Sequence, residues 1–222
     1  MLQPIIAWYF DVINQYGLAA VILLMAMESS IFPVPSELVV PPAAYLRGYE
    51  QENAWRRILE VIAAGAIGSY LGSSATYWLA RIAGRPFILR YGNYLRLSKE
   101  KLQHTEIWLL RHGAMGVFIS RLLPGVRHIN AIPAGLGRMS FLTFSLMTLL
   151  GSAVWCSVLA GLGLAMGPDM QILIASQGQA ESPAYREAMI NLTYLSVLVV
   201  LALSALYLLG RRLQTWSIKL LE

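Results

Sequence analysis

Residues 17–46 read GLAAVILLMAMESSIFPVPSELVVPPAAYL, and this stretch decides the fold. It is apolar from Gly17 to Met27, meets Glu28, passes through Pro33-Val34-Pro35-Ser36-Glu37, and is apolar again up to Pro41-Pro42. A helix needs about 20 apolar residues to cross a bilayer core, and each half of this stretch is shorter than that. The prolines between the halves remove amide donors and break a helix. The economical architecture is a re-entrant hairpin, two half-helices that enter and leave on the same face. Irregular backbone at that depth is tolerated only where protein buries it or it lines a wet cavity. Ordinary spans with kinks are the alternative.

A second stretch has the same character. Gly113–Gly137 contains Ser120-Arg121-Leu122-Leu123-Pro124-Gly125-Val126-Arg127, then Pro133-Ala134-Gly135. Around these two lie three uninterrupted apolar runs, Val61–Ala80, Met139–Gly167 and Ile190–Leu209, each long enough to span. Lys and Arg mark cytoplasmic loops. Arg81, Arg85, Arg90, Arg96, Lys99, Lys101 and Arg111 follow the first run, and Arg211, Arg212 and Lys219 follow the third. Asp169, Glu181 and Glu187 face only Arg186 in the loop between the second and third runs, which reads external. The linker Gly48–Arg57 is then external too. Sidedness is simplest if the first hairpin enters from outside and the second from inside.

Composition supports a membrane chain. Of the 222 residues 57% are hydrophobic and 13% charged, against roughly 25% charged in soluble domains. A soluble globule lacks polar cover at this composition, and a disordered chain is excluded by the apolar content. Cys156 is the single cysteine, so no disulfide framework or multi-cysteine zinc site is expected. With three histidines, no metal and no cofactor are expected. The net charge of +5 reflects the cytoplasmic loops, so nucleic-acid binding is not supported. Asp11 interrupts the first apolar stretch and no basic region precedes it, so targeting is expected to rest on the spans. Ser98–His112 fits an amphipathic interfacial helix, and Pro4–Gln15 is either interfacial or part of a span.

The two halves echo each other. Tyr16-Gly17 opens one hairpin and His112-Gly113 the other; Pro42-Ala43-Ala44 parallels Pro133-Ala134-Gly135. Each following span carries small residues at every fourth position: Ala64, Gly68, Gly72 and Thr76, then Ala153, Ser157, Gly161 and Ala165. Such stripes allow close backbone approach, within one chain or between two copies in a homodimer. Inverted repeats whose broken helices meet near the midplane are a transporter pattern.

Four charges lie inside the apolar hairpins: Glu28, Glu37, Arg121 and Arg127. Each would cost about 2.5–3.5 kcal/mol or more in lipid, so they pair or face water. Either they pin the hairpins together, or they work. Guanidinium presents a fork suited to phosphate oxygens, which makes Arg121 and Arg127 candidates for a lipid phosphate. Glu28 and Glu37 can change charge by taking up a proton, which suits gating or proton coupling. His128, Asn130 and Ser36 are candidate accessory residues. Pro33, Pro35, Pro124 and Gly125 read as hairpin architecture.

The segments Glu28–Glu37 and Phe118–Arg127 with Pro133-Ala134-Gly135 resemble the two signatures of the DedA family, also called the SNARE-associated or VTT domain family. Gly68-Ser69-Tyr70-Leu71-Gly72, Tyr77-Trp78-Leu79-Ala80-Arg81 and Gly84-Arg85 resemble its intervening span. The likeness covers about residues 10–165. It implies a bacterial inner-membrane protein with two facing re-entrant hairpins that moves phospholipids or polyprenyl phosphates, often linked to the proton gradient. The family's acidic positions fall on Glu28 and Glu37 and its arginines on Arg121 and Arg127. Pro35-Ser36-Glu37 resembles the branch associated with undecaprenyl phosphate recycling; other members handle phosphatidylethanolamine.

Three rival readings remain. Ser120-Arg121 with His128 faintly matches a lipid phosphatase element, with the spacing off by one. A proton-coupled cation or drug antiporter would use the same carboxylates, but two buried arginines repel a cation. A membrane-organising protein would need the charges only for structure. The expectation is an all-α polytopic membrane protein and not an enzyme. It forms a single membrane domain over residues 1–222, an inverted repeat with two facing re-entrant hairpins plus about three to four full transmembrane helices. The external loop is expected at about 168–189, the last helix at about 190–210, and the C-terminus in the cytoplasm. The partners expected are membrane lipids and protons.

Overall fold

The computed structural model describes residues 3–30, 36–49, 52–91, 99–123, 126–127 and 129–167, with isolated helical positions at 187, 190, 191, 194 and 198. All regular structure among the described residues is helical: α1 Gln3–Tyr16, α2 Leu18–Glu28, a 3-10 turn Ser36–Leu38, α3 Val40–Gly48, α4 Ala54–Tyr91, α5 Lys99–Leu122, α6 Ala131–Leu136 and α7 Phe141–Ala165. The expected external loop and most of the expected last helix lie outside the described residues, as do Pro33, Pro35, Pro124, Gly125 and His128.

Among the described residues, two helices are long and apolar enough to cross a membrane, Ala54–Gly84 and Phe141–Ala165. At 1.5 Å per residue they measure about 46 Å and about 38 Å. The first begins a full turn and more before the expected Val61, because the exposed Trp55, Arg56 and Arg57 continue the helix past the apolar run. It ends straight at Gly84, whose φ of 74° and ψ of 173° break the helical geometry. The second lies inside the expected Met139–Gly167, and Ser140 caps it by accepting the Thr143 N–H at 3.2 Å.

The other apolar helices are short. α2 has 11 residues and α3 has 9, or about 16 Å and about 14 Å, so neither crosses a bilayer alone. Each half of the chain reaches its short helix through a glycine in the same unusual conformation. Gly17 has φ 57° and ψ −126°; Gly113, which bends α5, has φ 54° and ψ −131°. This is the mirror image of extended backbone, a region closed to residues with a Cβ. Space is not the reason for glycine here, since nothing lies within 4 Å of a Cβ built at either position.

The packing repeats as well. α2 packs on α4, and α5 on α7; α3 then crosses to α7, and α6 crosses to α4. In each half the first short arm therefore lies on its own long helix and the second arm on the long helix of the other half. Missing side chains make these contacts close. A Cβ at Gly68 or Gly72 on α4 would collide with the α2 carbonyls of Ile22 and Ala26. One at Gly163 on α7 would meet the Pro41 carbonyl of α3, and one at Gly135 on α6 the Tyr77 carbonyl of α4.

The first expected small-residue stripe, Ala64, Gly68, Gly72 and Thr76, is the buried face of α4. The second does not pack within the chain: Ala153 is half-buried and Ser157, Gly161 and Ala165 are exposed, which leaves only the expectation of contact between copies. On α7 the buried face is instead Gly151, Ser152, Trp155, Cys156, Leu159 and Gly163. Beside an apolar core, the described interior holds charged and polar groups, while large apolar side chains face outward. Glu28, Ser69, Arg121, Arg127 and Asn130 are buried, while Leu23, Leu71, Trp78, Leu142, Leu146 and Leu150 are exposed. Exposed apolar surface on this scale marks a membrane or partner contact rather than a water-facing surface.

Candidate functional site

The end of α2, the 3-10 turn, the end of α5, and the middles of α4 and α7 converge on one buried cluster. Glu28 is the last residue of α2, and the 3-10 turn begins at Ser36. The chain comes back close enough for the Ser36 N–H to donate to Glu28 Oε1 at 3.1 Å. Arg127 enters from the second half. Its Nη2 donates to Glu28 Oε1 in a buried ion pair and to Ser36 Oγ at 2.7 Å. Glu37 Oε1 lies 3.7 Å from the same nitrogen, with its side chain 27% exposed. Both carboxylates thus gather on one arginine.

Trp155 of α7 completes the seat of Arg127. The guanidinium carbon lies 5.0 Å from the indole ring centre, and Trp155 Nε1 donates to Ser36 Oγ at 3.3 Å. A cation over an indole face is stabilised, most of all when shielded from water.

Arg121 sits apart from the carboxylates. Its Nη1 donates to Ser69 Oγ at 3.4 Å, while Nε and Nη2 are buried without a hydrogen-bond partner among the described residues. Nε and Nη2 form the side-on fork of a guanidinium, the face that binds carboxylate or phosphate with two parallel bonds. Such a buried, unfilled donor pair is rare and calls for an explanation. Around it Ser29 of the α2 cap, Ser69 of α4 and Ser152 of α7 form a hydroxyl cluster, with Oγ–Oγ distances of 2.7 Å for Ser29–Ser69 and 3.2 Å for Ser152–Ser69.

These groups line one cavity: Glu28, Ser29, Ser69, Arg121, Arg127 and Ser152, with Met25, Trp155 and Cys156. Its free volume is about 10 Å³, about what one water needs. The site is closed in this conformation.

The candidate residues Glu28, Glu37, Ser36, Arg121 and Arg127 are therefore brought together. Asn130 is buried beside α5, outside the cavity lining. Its Nδ2 donates to Ser120 Oγ at 2.7 Å, and Ser120 donates to the Val117 carbonyl at 2.7 Å. Asn130 thus ties the two arms of the second half together. Sequence reasoning missed Trp155 and the serines 29, 69 and 152 as site residues. Their signal was faint: an indole in mid-span rather than at an end, and hydroxyls within uncharged helices.

The VTT domain family matches residues 34–165. Among curated proteins, the chain is 34% identical to "Undecaprenyl phosphate transporter A" of Bacillus subtilis over 75% of this chain and 78% of that protein. It is 29% identical to the protein of the same name in Staphylococcus aureus, over 74% and 81%. It is 31% identical to an "Alkaline phosphatase-like protein" of Lactococcus lactis, over 73% and 77%. No solved structure matches. With a domain match over more than half its length, and with apolar helices that enclose a charged interior, the chain belongs to the VTT-domain (DedA) family of membrane proteins.

Proposed function

We propose that the protein carries phosphate-bearing lipids across the bacterial cytoplasmic membrane, with undecaprenyl phosphate as its substrate. The observation that carries this reading is the buried Glu28–Arg127 pair beside the unfilled fork of Arg121. A phosphate oxygen offers Arg127 the same acceptor chemistry as the Glu28 carboxylate, so one can replace the other. The names of the Bacillus and Staphylococcus relatives support a polyprenyl phosphate.

In this account the closed cluster is the empty state. Phosphate enters when the two halves part, takes Arg127 from Glu28 and Glu37, and fills the Arg121 fork. The released carboxylates take up protons, which links the cycle to the proton gradient. The prenyl tail stays in the bilayer, and only the head group passes the cluster. The short arms act as two re-entrant hairpins entering from opposite faces, which brings carboxylates and guanidiniums together at mid-depth. The basic residues Arg211, Arg212 and Lys219 support a cytoplasmic C-terminus. Ser120 donates its hydroxyl to the Val117 carbonyl and accepts from Asn130, which supports a structural role for it.

The test is reconstitution in liposomes with labelled undecaprenyl phosphate or phosphatidylethanolamine, with and without a proton gradient. Head-group exposure is followed for the protein and for the Arg121→Ala/Arg127→Ala variant. Movement of undecaprenyl phosphate that needs the arginines and quickens with the gradient is expected. No movement of either lipid by folded protein would overturn the reading.

A further inference from the structure

We infer that Ser29, Ser69 and Ser152, with the fork of Arg121, form a pocket that selects phosphate monoesters over phosphodiesters. The inference rests on the lipid-phosphate reading above and names the group that the site distinguishes.

The argument is a count of donors and acceptors. A serine hydroxyl has one hydrogen and two lone pairs. Arg121 Nη1 and Ser152 Oγ both donate to Ser69 Oγ, which uses its lone pairs. The hydrogen of Ser69 then goes to Ser29 Oγ at 2.7 Å. This leaves the Ser29 hydrogen without an acceptor in the cluster. The N–H groups of Arg121 Nε and Nη2 are likewise unpartnered. Three serine oxygens offer six lone pairs against eight hydrogens, three hydroxyl and five guanidinium, so donors outnumber acceptors whichever way the hydroxyls turn. Such a pocket is finished by a ligand made of acceptors.

Phosphate ester class decides how well a ligand fits. A monoester presents three terminal oxygens and carries a charge of about −1.5 to −2 at neutral pH. A diester presents two such oxygens and one negative charge. The Arg121 fork and Arg127 engage two oxygens of either. The hydroxyl cluster supplies donors for the third, which only the monoester has. Sites built to hydrogen-bond a group discriminate strongly against analogues that lack it. The cavity already joins these donors to Arg127 and Glu28, so the third oxygen needs no separate pocket.

The test compares three labelled lipids in proteoliposomes: undecaprenyl phosphate, phosphatidic acid (a monoester on a diacyl lipid) and phosphatidylglycerol (an anionic diester). The natural protein is expected to move both monoesters at least about tenfold faster than the diester. Ser69→Ala is expected to lower the ratio of monoester to diester rates about fivefold or more, and Ser69→Thr to keep much of that ratio. Thermal unfolding confirms that each variant is folded, and Ser152→Ala replaces Ser69→Ala if the latter is not. Equal slowing of all three lipids, or an unchanged preference, would overturn the serine assignment while leaving lipid transport intact. No movement of any lipid by the natural protein would overturn the transport reading on which it rests.

Discussion

Arg127 is bound to Glu28 across 99 positions of sequence, and that bond ties the second half of the chain to the first. Glu37 and Ser36 lie on the same guanidinium. Arg127 is therefore shared among several acceptors, while Arg121 meets hydroxyls alone. Arg127 thus pairs across the two halves, whereas Nε and Nη2 of Arg121 have no hydrogen-bond partner among the described residues.

The pair has a stability consequence. Removing one partner of a buried ion pair costs about 3–5 kcal/mol because it leaves the other charge unmatched. Arg127→Ala is expected to lower the unfolding temperature in detergent sharply. Glu28→Gln/Arg127→Gln, which removes both charges, is expected to recover much of the loss. Thermal unfolding followed by tryptophan fluorescence reads both.

Charge exchange makes a second claim, on coupling. Glu28→Gln cannot cycle a proton at that position. It is expected to move lipid at a rate that no longer responds to the proton gradient, while Arg121→Ala loses movement with or without the gradient. Head-group exposure in liposomes with an imposed pH difference distinguishes the two.

Glycine contacts give a contrast that involves no charge. Gly72→Ala drives a Cβ into the Ala26 carbonyl and is expected to cost about 1–3 kcal/mol. Gly161→Ala meets nothing within 4 Å and, inside a helix, is expected to be neutral or to stabilise by up to about 1 kcal/mol. Chemical unfolding of the two variants side by side measures the difference.

Gly17 and Gly113 are constrained by backbone rather than by space. Alanine at either is expected to cost about 1–3 kcal/mol although no neighbour touches the new methyl group. Equal penalties at the two positions would follow from their equal torsion angles.

Much of this was legible in the sequence because it was anomalous there. Charges and prolines inside apolar runs marked Glu28, Glu37, Arg121 and Arg127, and all of them lie at or beside the buried cluster. The glycines that open the short arms were visible as an echo between halves, though their shared torsion angles were not. The inward face of α7 is not singled out by the sequence. Ser145, Thr148 and Ser152 recur at helical spacing on the buried side, but Ser157 lies on the exposed side, so hydroxyls alone do not tell the inside from the outside, and a row at every fourth position drifts around a helix of 3.6 residues per turn. Trp155 and the serines escaped for a related reason. An uncharged polar group costs little in an apolar helix, so it stands out only once its partners on other helices are known. The start of α4 ran earlier than the apolar run because helix continuation does not require hydrophobicity.

The central claim is that Arg127 passes from carboxylate to phosphate through its fork. The most direct test is the initial rate of undecaprenyl phosphate head-group translocation by Arg127→Lys in liposomes, against the natural protein at equal folded amount. Lysine keeps the charge and loses the planar fork. The account predicts a fall of about tenfold or more. Translocation at the natural rate would contradict it.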